Sequence, residues 1–318
     1  MKKIVMGVLV ATSLFLFGSI SLAADKEDSP WKLKPTLTAG YAFSSDTHIS
    51  FSTATGIGVL GATKIDLKSP GFAGLAIGAE LPFALTDRLK LAVGGRWVTT
   101  GANGSTDQVY NGGLLSRVFN ADDQNWRTLD LLASYAFLKN VSCLKDMSAV
   151  LGFRWDRQSM SFNNPGGARG VISSPSDEIN FRMDNYTPVF GLTSTFKGYK
   201  RGVFGGDVTL GVFGSPFGWG KVKYDEEFLQ TLKIEFDDDF NGATFWKIMA
   251  EVTALSGKVA PGVNGVLSIF GEYSRFSVDE KVKGVGLSGS TGFVSQDNFN
   301  FKMNPALSVV GVKASLAF

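Results

Sequence analysis

Few residues in this chain could do chemistry. Among 318 residues there is one His, His48, and one Cys, Cys143, so neither a histidine metal site nor an internal disulfide can be built from them. Asp237-Asp238-Asp239 offers the hard oxygen ligands that calcium takes. It lacks the alternate spacing and turn glycine of a calcium loop, and reads as a solvated acidic patch. Asp122-Asp123 reads as polar turn chemistry. Gly166-Gly167 and the Gly-rich stretch 284–292 do not sit between a strand and a helix, so neither is a phosphate cradle. No cofactor and no metal are expected.

The elements that must carry these residues are strands. Period-two alternation marks ten segments, at 34–44, 72–84, 88–99, 126–138, 147–162, 180–197, 202–222, 242–256, 264–278 and 300–318. In the last, Val310, Val312, Ala314, Leu316 and Phe318 alternate with Gly311, Lys313, Ser315 and Ala317. One apolar face and one small or charged face suit a strand between lipid and a polar interior. Leu75, Ile77, Ala79, Leu81 and Phe83 form another such face, and Ala149, Leu151, Phe153 and Trp155 a third. The opposite faces carry Glu80, Arg96, Asp130, Arg154, Asp156, Asp207, Lys247, Glu251, Glu272 and Lys313. A basic residue facing lipid at mid-depth costs roughly 2–4 kcal/mol, which accounts for the segregation.

Connections alternate in length. Those at 45–71, 100–125, 163–179, 223–241 and 279–299 are long and polar, whereas Leu85–Asp87, Lys139–Asp146, Gly198–Arg201 and Gly257–Val263 are tight turns. The pattern predicts an all-β fold, a ten-stranded antiparallel transmembrane β-barrel with long exterior loops and short periplasmic turns. A soluble β-sandwich would bury the apolar faces together instead. Against it, Trp97, Trp126, Trp155, Trp219 and Trp246 fall at the expected exterior strand ends, and Phe83, Phe137, Phe196, Phe204 and Phe318 at the periplasmic ends, as two interfacial girdles would require. Ten strands enclose a lumen that long charged side chains should largely fill, which disfavours a diffusion pore.

Lys2 and Lys3, the apolar stretch Ile4 to Ile20 and Ser21-Leu22-Ala23 read as a secretory signal cleaved after Ala23. Residues 24–318 then form a single barrel domain in the outer membrane. Balanced charge, 31 Lys+Arg against 29 Asp+Glu, points to no nucleic-acid partner.

Short stretches within this layout resemble the omptin fold, which outer-membrane endopeptidases share with a group of adhesins. Arg96-Trp97-Val98-Thr99-Thr100-Gly101 followed by Asp107-Gln108 is similar to the omptin strand end that leads to the first catalytic acid pair. Tyr186-Thr187-Pro188-Val189-Phe190-Gly191-Leu192-Thr193 resembles an omptin strand, as does Gly152-Phe153 leading to Ser161-Phe162 and Gly166-Gly167. Omptin cleavage uses water held between an Asp-Asp couple and an Asp-His couple. The resemblance implies Asp107, Asp225 and Glu227 as the candidate catalytic positions. Val109 stands where the second Asp of the first couple belongs, and Glu227 where the His belongs. A carboxylate of ordinary pKa near 4.3 is a poor substitute for an imidazole. Asp46-Thr47-His48 has the Asp-x-His spacing in the first loop instead, and Asp122-Asp123 could replace the missing acid pair. The expectation is therefore a non-proteolytic omptin-like barrel that acts through its exterior loops in surface binding, adhesion or envelope architecture. The alternative is an omptin-type endopeptidase with a rearranged site. Expected partners are outer-membrane lipid including lipopolysaccharide, an unidentified surface ligand and the barrel assembly machinery.

Overall fold

Strands with two unlike faces pair until no edge remains, and in the computed structural model of this chain they close twice. The structure describes residues 32–57, 62–69, 71–101, 105–110, 115–163, 178–228, 232–288 and 293–317. Only the backbone is described at 32–33, 53–57, 62–63, 100–101, 105–110, 115–122, 227–228, 232–233, 285–288, 293–297 and 317. The expected signal at 1–23, Gly166-Gly167 and Phe318 lie outside the described residues.

The described strands are β1 (Lys32–Leu33), β2 (Thr36–Ser44), β3 (Thr47–Ile57), β4 (Ala62–Ser69), β5 (Ala73–Ala84), β6 (Leu89–Gly101), β7 (Ser105–Tyr110), β8 (Leu115–Val141), β9 (Leu144–Asn163) and β10 (Glu178–Phe196). They continue with β11 (Lys200–Arg201), β12 (Phe204–Gly205), β13 (Val208–Ser215), β14 (Trp219–Phe228), β15 (Leu232–Asn241), β16 (Thr244–Ala260), β17 (Val263–Ser288), β18 (Phe293–Met303) and β19 (Ala306–Ala317). All pairings are antiparallel. The first ring runs β2-β5-β6-β8-β9-β10-β13-β16-β17-β19 and back to β2. The second runs β3-β4-β7-β8-β9-β10-β14-β15-β17-β18 and back to β3. Each ring has ten strands; β8, β9, β10 and β17 pass through both, and five of the other six positions break at described residues, at 45–46, 71–72, 216–218, 242–243 and 304–305. At the β2–β19 seam Gly40 faces Gly311. A Cβ on Gly40 would lie 2.6 Å from the Val310 carbonyl oxygen and one on Gly311 2.3 Å from that of Ala39, so only glycine lets the seam close so tightly.

Along β9 the side chains alternate in and out without interruption, while their chemistry inverts. In the first ring Leu151 and Phe153 point outward, Leu151 58% exposed, and Arg154 and Asp156 point into the lumen, buried. In the second ring Met160 and Phe162 point inward, Phe162 0% exposed, and Arg157, Ser159 and Ser161 point outward. The first ring is thus apolar outside and charged inside, and the second is the reverse. Inside the first ring Glu272 accepts from Arg96 at two contacts, one of 3.1 Å, and lies 3.0 Å from Lys247. Lys313 pairs with Glu251 at 2.8 Å, and Arg154 with Asp156 at 2.8 Å and Asp130 at 3.4 Å. A cavity of about 310 Å³ remains among these groups. The second ring is packed with apolar side chains, and Phe51 of β3 stacks on Phe236 of β15 across it at 4.2 Å.

Several expectations change. Four of the five stretches expected as exterior loops are largely paired strands of the second ring, because Ile49, Phe51, Ile65, Leu67, Tyr224, Phe236, Val278 and Phe299 give them a buried apolar face of their own; of the fifth, 164–177 lie outside the described residues. The segment expected at 202–222 breaks at 206–207 and again at 216–218. Trp126 turns inward and donates to Asp156 at 3.1 Å instead of joining the girdle, whereas Trp97, Trp219 and Trp246 are exposed as expected. Asp207 does not line the lumen; it pairs with Lys145 at the end of the first ring away from the second, here called the base.

Candidate functional site

The outer wall of the second ring holds the described polar groups best placed to meet a ligand, and cross-strand register orders them in rows. Nearest the first ring lie Leu129, Trp155, Tyr186, Trp219 and Asn241, on β8, β9, β10, β14 and β15. Residues directly opposite in an antiparallel pair project to the same side, within about 5 Å of each other. The next row is Arg127, Arg157, Asp184, Lys221 and Asp239, and the one above it Asn125, Ser159, Arg182, Lys223 and Asp237. Five cations therefore stand directly above an aromatic row.

Asp184 organises them. Its Oδ1 accepts from Arg157 Nε at 2.6 Å and from Trp155 Nε1 at 3.2 Å, and its Oδ2 from Arg182 Nε at 2.9 Å. Both arginines are thus held by Nε, which leaves their terminal N–H groups turned away from the carboxylate. The Arg157 guanidinium also lies 5.1 Å from the Trp155 ring, and that of Arg127 5.9 Å from the Trp97 ring. Lys221 sits 2.5 Å from Asp237, whose hydrogen bond and charge hold the ammonium above its ordinary pKa. Such a forked array suits anionic oxygens. Spacing along the chain does not single out these five cations, although Arg127, Arg157 and Arg182 occupy the outward parity just beyond the apolar faces it marks.

The row above these contains Asp123, Ser161, Asn180, Asp225 and Glu235. Asp123, Asp225, Ser159, Ser161, Asn180, Arg182 and Lys223 line a shallow depression of about 360 Å³. Asp123 and Asp225 stand three strand spacings apart, about 14 Å along the wall, too far to share one water. Asp107 lies on β7, opposite Lys68 and Val118, four strand spacings round the ring from Asp225 and in a different row, since Asp225 is level with Asp123. Glu227 lies opposite Glu178 and Lys233. His48 is exposed on β3, opposite Lys68, with the Phe51–Phe236–Tyr224 packing between β3 and β14. Asp225 and Glu227 thus share one strand, whereas Asp107 and His48 lie elsewhere on the ring. The Asp237-Asp238-Asp239 run is spent structurally, since Asp237 pairs with Lys221 and Asp238 accepts the Lys283 backbone N–H at 2.7 Å. Among the described residues no group of three potential ligands gathers for a metal ion.

No protein-family model and no curated protein matches the sequence. Among solved structures, the outer membrane protease OmpT from Escherichia coli superposes with a TM-score of 0.66 at 12% identity, over 90% of this chain and 97% of that one. The translocator domain of autotransporter NalP from Neisseria meningitidis aligns more loosely, with a TM-score of 0.34 at 10% identity, over 97% and 96%. The likeness to the protease is one of fold, that of a ten-stranded outer-membrane β-barrel.

Proposed function

We propose that this chain is an outer-membrane barrel whose first ring spans the bilayer and whose second ring stands outside the cell as a solid collar that binds ligands on its outer wall. The inversion of polarity along β9 carries this reading. A lipid-facing wall must be apolar outside, a water-facing one apolar inside, and the chain changes from one to the other within a few residues of Trp155. The row of Trp155, Tyr186 and Trp219 then lies at headgroup level. Arg157, Arg182, Lys221 and Lys223 above it fit the phosphates of the outer leaflet, lipopolysaccharide included. The depression above these cations offers both donors and acceptors to a surface ligand.

Catalysis by the omptin route is not part of this reading. The second ring's interior is filled by Phe51, Phe181, Tyr224, Phe236 and Phe301, so at their level no open groove divides Asp107 from Asp225. The rival reading, an endopeptidase with a rearranged site, is favoured by the fold likeness and by the half-exposed Asp225. Incubating the refolded protein with peptides that carry paired basic residues separates the two. The binding reading expects no cleavage above buffer. Cleavage abolished by Asp225→Ala, Asp107→Ala or His48→Ala would overturn it.

A further inference from the structure

The base of the first ring is uneven, because two neighbouring turns project from it together. One connects β10 to β13 and carries the small strands β11 and β12; the other is Pro261-Gly262 between β16 and β17. They are joined through the end of β16. Phe204 pairs with Leu255, Ser256 donates its N–H to the Val203 carbonyl at 2.8 Å, and Thr253 donates to that of Asp207 at 2.9 Å. The outward row of β16, Ile248 and Val252, meets a bulge between Thr253 and Leu255 that adds a residue and shifts the parity. Leu255 and Val259 then continue the same outward face. The apolar surface of the barrel therefore runs on below the base, ending in Phe204 at 66%, Val259 at 68% and Tyr199 at 82% exposed.

Three cations cap this flap. Lys200, Arg201 and Lys258 are exposed and have no carboxylate partner among the described residues. Their neighbours are tied down: Lys145 pairs with Asp207, Lys139 donates to the Asp87 carbonyl and Lys197 to that of Ser142. Exposed rings continuous with a lipid-facing wall, tipped by unpaired cations, are the composition of a segment that lies in a membrane interface.

We propose that the flap docks on anionic phospholipid in the leaflet at the base. Tyr199, Phe204 and Val259 enter the headgroup boundary, and Lys200, Arg201 and Lys258 take the phosphate oxygens. This rests on the reading of the first ring as membrane-spanning. A periplasmic protein is the other occupant such a surface could take. Continuity with the apolar wall favours lipid, since the flap's rings extend the surface that already meets acyl chains.

The test uses the refolded chain with Arg127→Gln, Arg157→Gln, Arg182→Gln, Lys221→Gln and Lys223→Gln, so that the cations of the second ring's wall contribute little. Native mass spectrometry counts phosphatidylglycerol and phosphatidylcholine retained by this protein and by the same protein with Lys200→Gln, Arg201→Gln and Lys258→Gln. Each juxtamembrane cation supports about a fivefold enrichment, so the triple change should remove at least tenfold of the preference for phosphatidylglycerol. Equal preference in both would overturn the proposal. A second measurement attaches an environment-sensitive dye at Tyr199→Cys in a Cys143→Ser background. Its emission should shift to the blue in vesicles containing phosphatidylglycerol. Emission typical of water in those vesicles, with protection only by a periplasmic extract, would overturn the proposal in favour of a protein partner. Heat-modifiable migration of each variant separates the two levels: a folded band without lipid preference refutes the flap alone, and absence of any folded band from the parent refutes the barrel.

Discussion

Replacing Phe51 by Ala should open the second ring and leave the first closed. The Phe51 ring is fully buried, stacked on Phe236 at 4.2 Å and 5.2 Å from both Tyr224 and Phe301. Removing a buried Phe costs about 3–5 kcal/mol, part of which is the loss of aromatic pairs worth about 0.5–1.5 kcal/mol each. Phe51 lies in the short stretch, Ile49 to Ser52, through which β3 pairs with β18, so its loss loosens that edge first and leaves the longer ladder to β4. The cost therefore falls on local opening of this ring, not on the whole barrel. Hydrogen exchange of the refolded protein in detergent measures it. Amides of β3, β14, β15 and β18 should exchange about 10²-fold faster or more, with those of the β2–β19 seam unchanged and heat-modifiable migration retained. Acceleration under tenfold would mean that the second ring is not held by its core. Equal acceleration at the seam would mean that the two rings open as one.

Glu272→Ala strands Arg96 and Lys247 in the lumen, and by the cost of breaking a buried ion pair it should lower stability to urea by about 3–5 kcal/mol; a loss under about 1 kcal/mol would show that water in the cavity replaces the carboxylate. Asp46 accepts the Gly71 N–H at 2.9 Å and lies 3.0 Å from Lys68, and these two hydrogen bonds hold its carboxyl below the ordinary 3.8. Its contribution is therefore present above that ordinary value and lost as pH falls through the lowered one, so the melting temperatures of parent and Asp46→Asn should differ at neutral pH and converge in acid; a gap that widens in acid contradicts the assignment. Reconstituted protein should give no steady single-step conductance in planar bilayers, because the packed second ring lies over the lumen; porin-like currents would mean that the rings leave a passage.

The first ring was legible because one chemistry holds along each face. Val310, Val312, Ala314 and Leu316 on one side and Lys313 on the other could be assigned by counting in twos, and the ion-pairing residues of the lumen emerged from the same count. Not every partner did: Arg154 takes Asp130 and Asp156 from that set, but Arg96 takes Glu272 on β17, a choice set by which strands face each other across the ring. The second ring was not legible because its apolar residues lie on the parity that is charged below. In β9, expected as a strand to 162, the inward positions pass from Arg154 and Asp156 to Met160 and Phe162; where no single strand bridged the change, as at 45–71 and 223–241, the residues beyond it resembled a loop. Trp126 departs from expectation because a tryptophan at a strand end suits a girdle, whereas its inward parity gives its N–H to Asp156. Of the candidate site, the strand carrying Asp225 and Glu227 was adjacent to the right region, but the basic row around Asp184 needs the register of four strands, which spacing along one chain does not contain.

The continuity of four strands, among the described residues, through both rings bears on how such a chain can change length over generations. In β8, β9, β10 and β17 a single inserted residue would reverse everything beyond it unless a bulge formed. In β9 it would turn Arg154 toward the apolar surround or Phe162 toward water, depending on which half kept its register. Five strands carry a described spacer at the junction, such as Gly242-Ala243 or Asn304-Pro305, where an added residue lies between the two paired segments. Insertions and deletions should therefore accumulate at those five seams, leaving β8, β9, β10 and β17 as the fixed rulers against which relatives of this chain can be aligned.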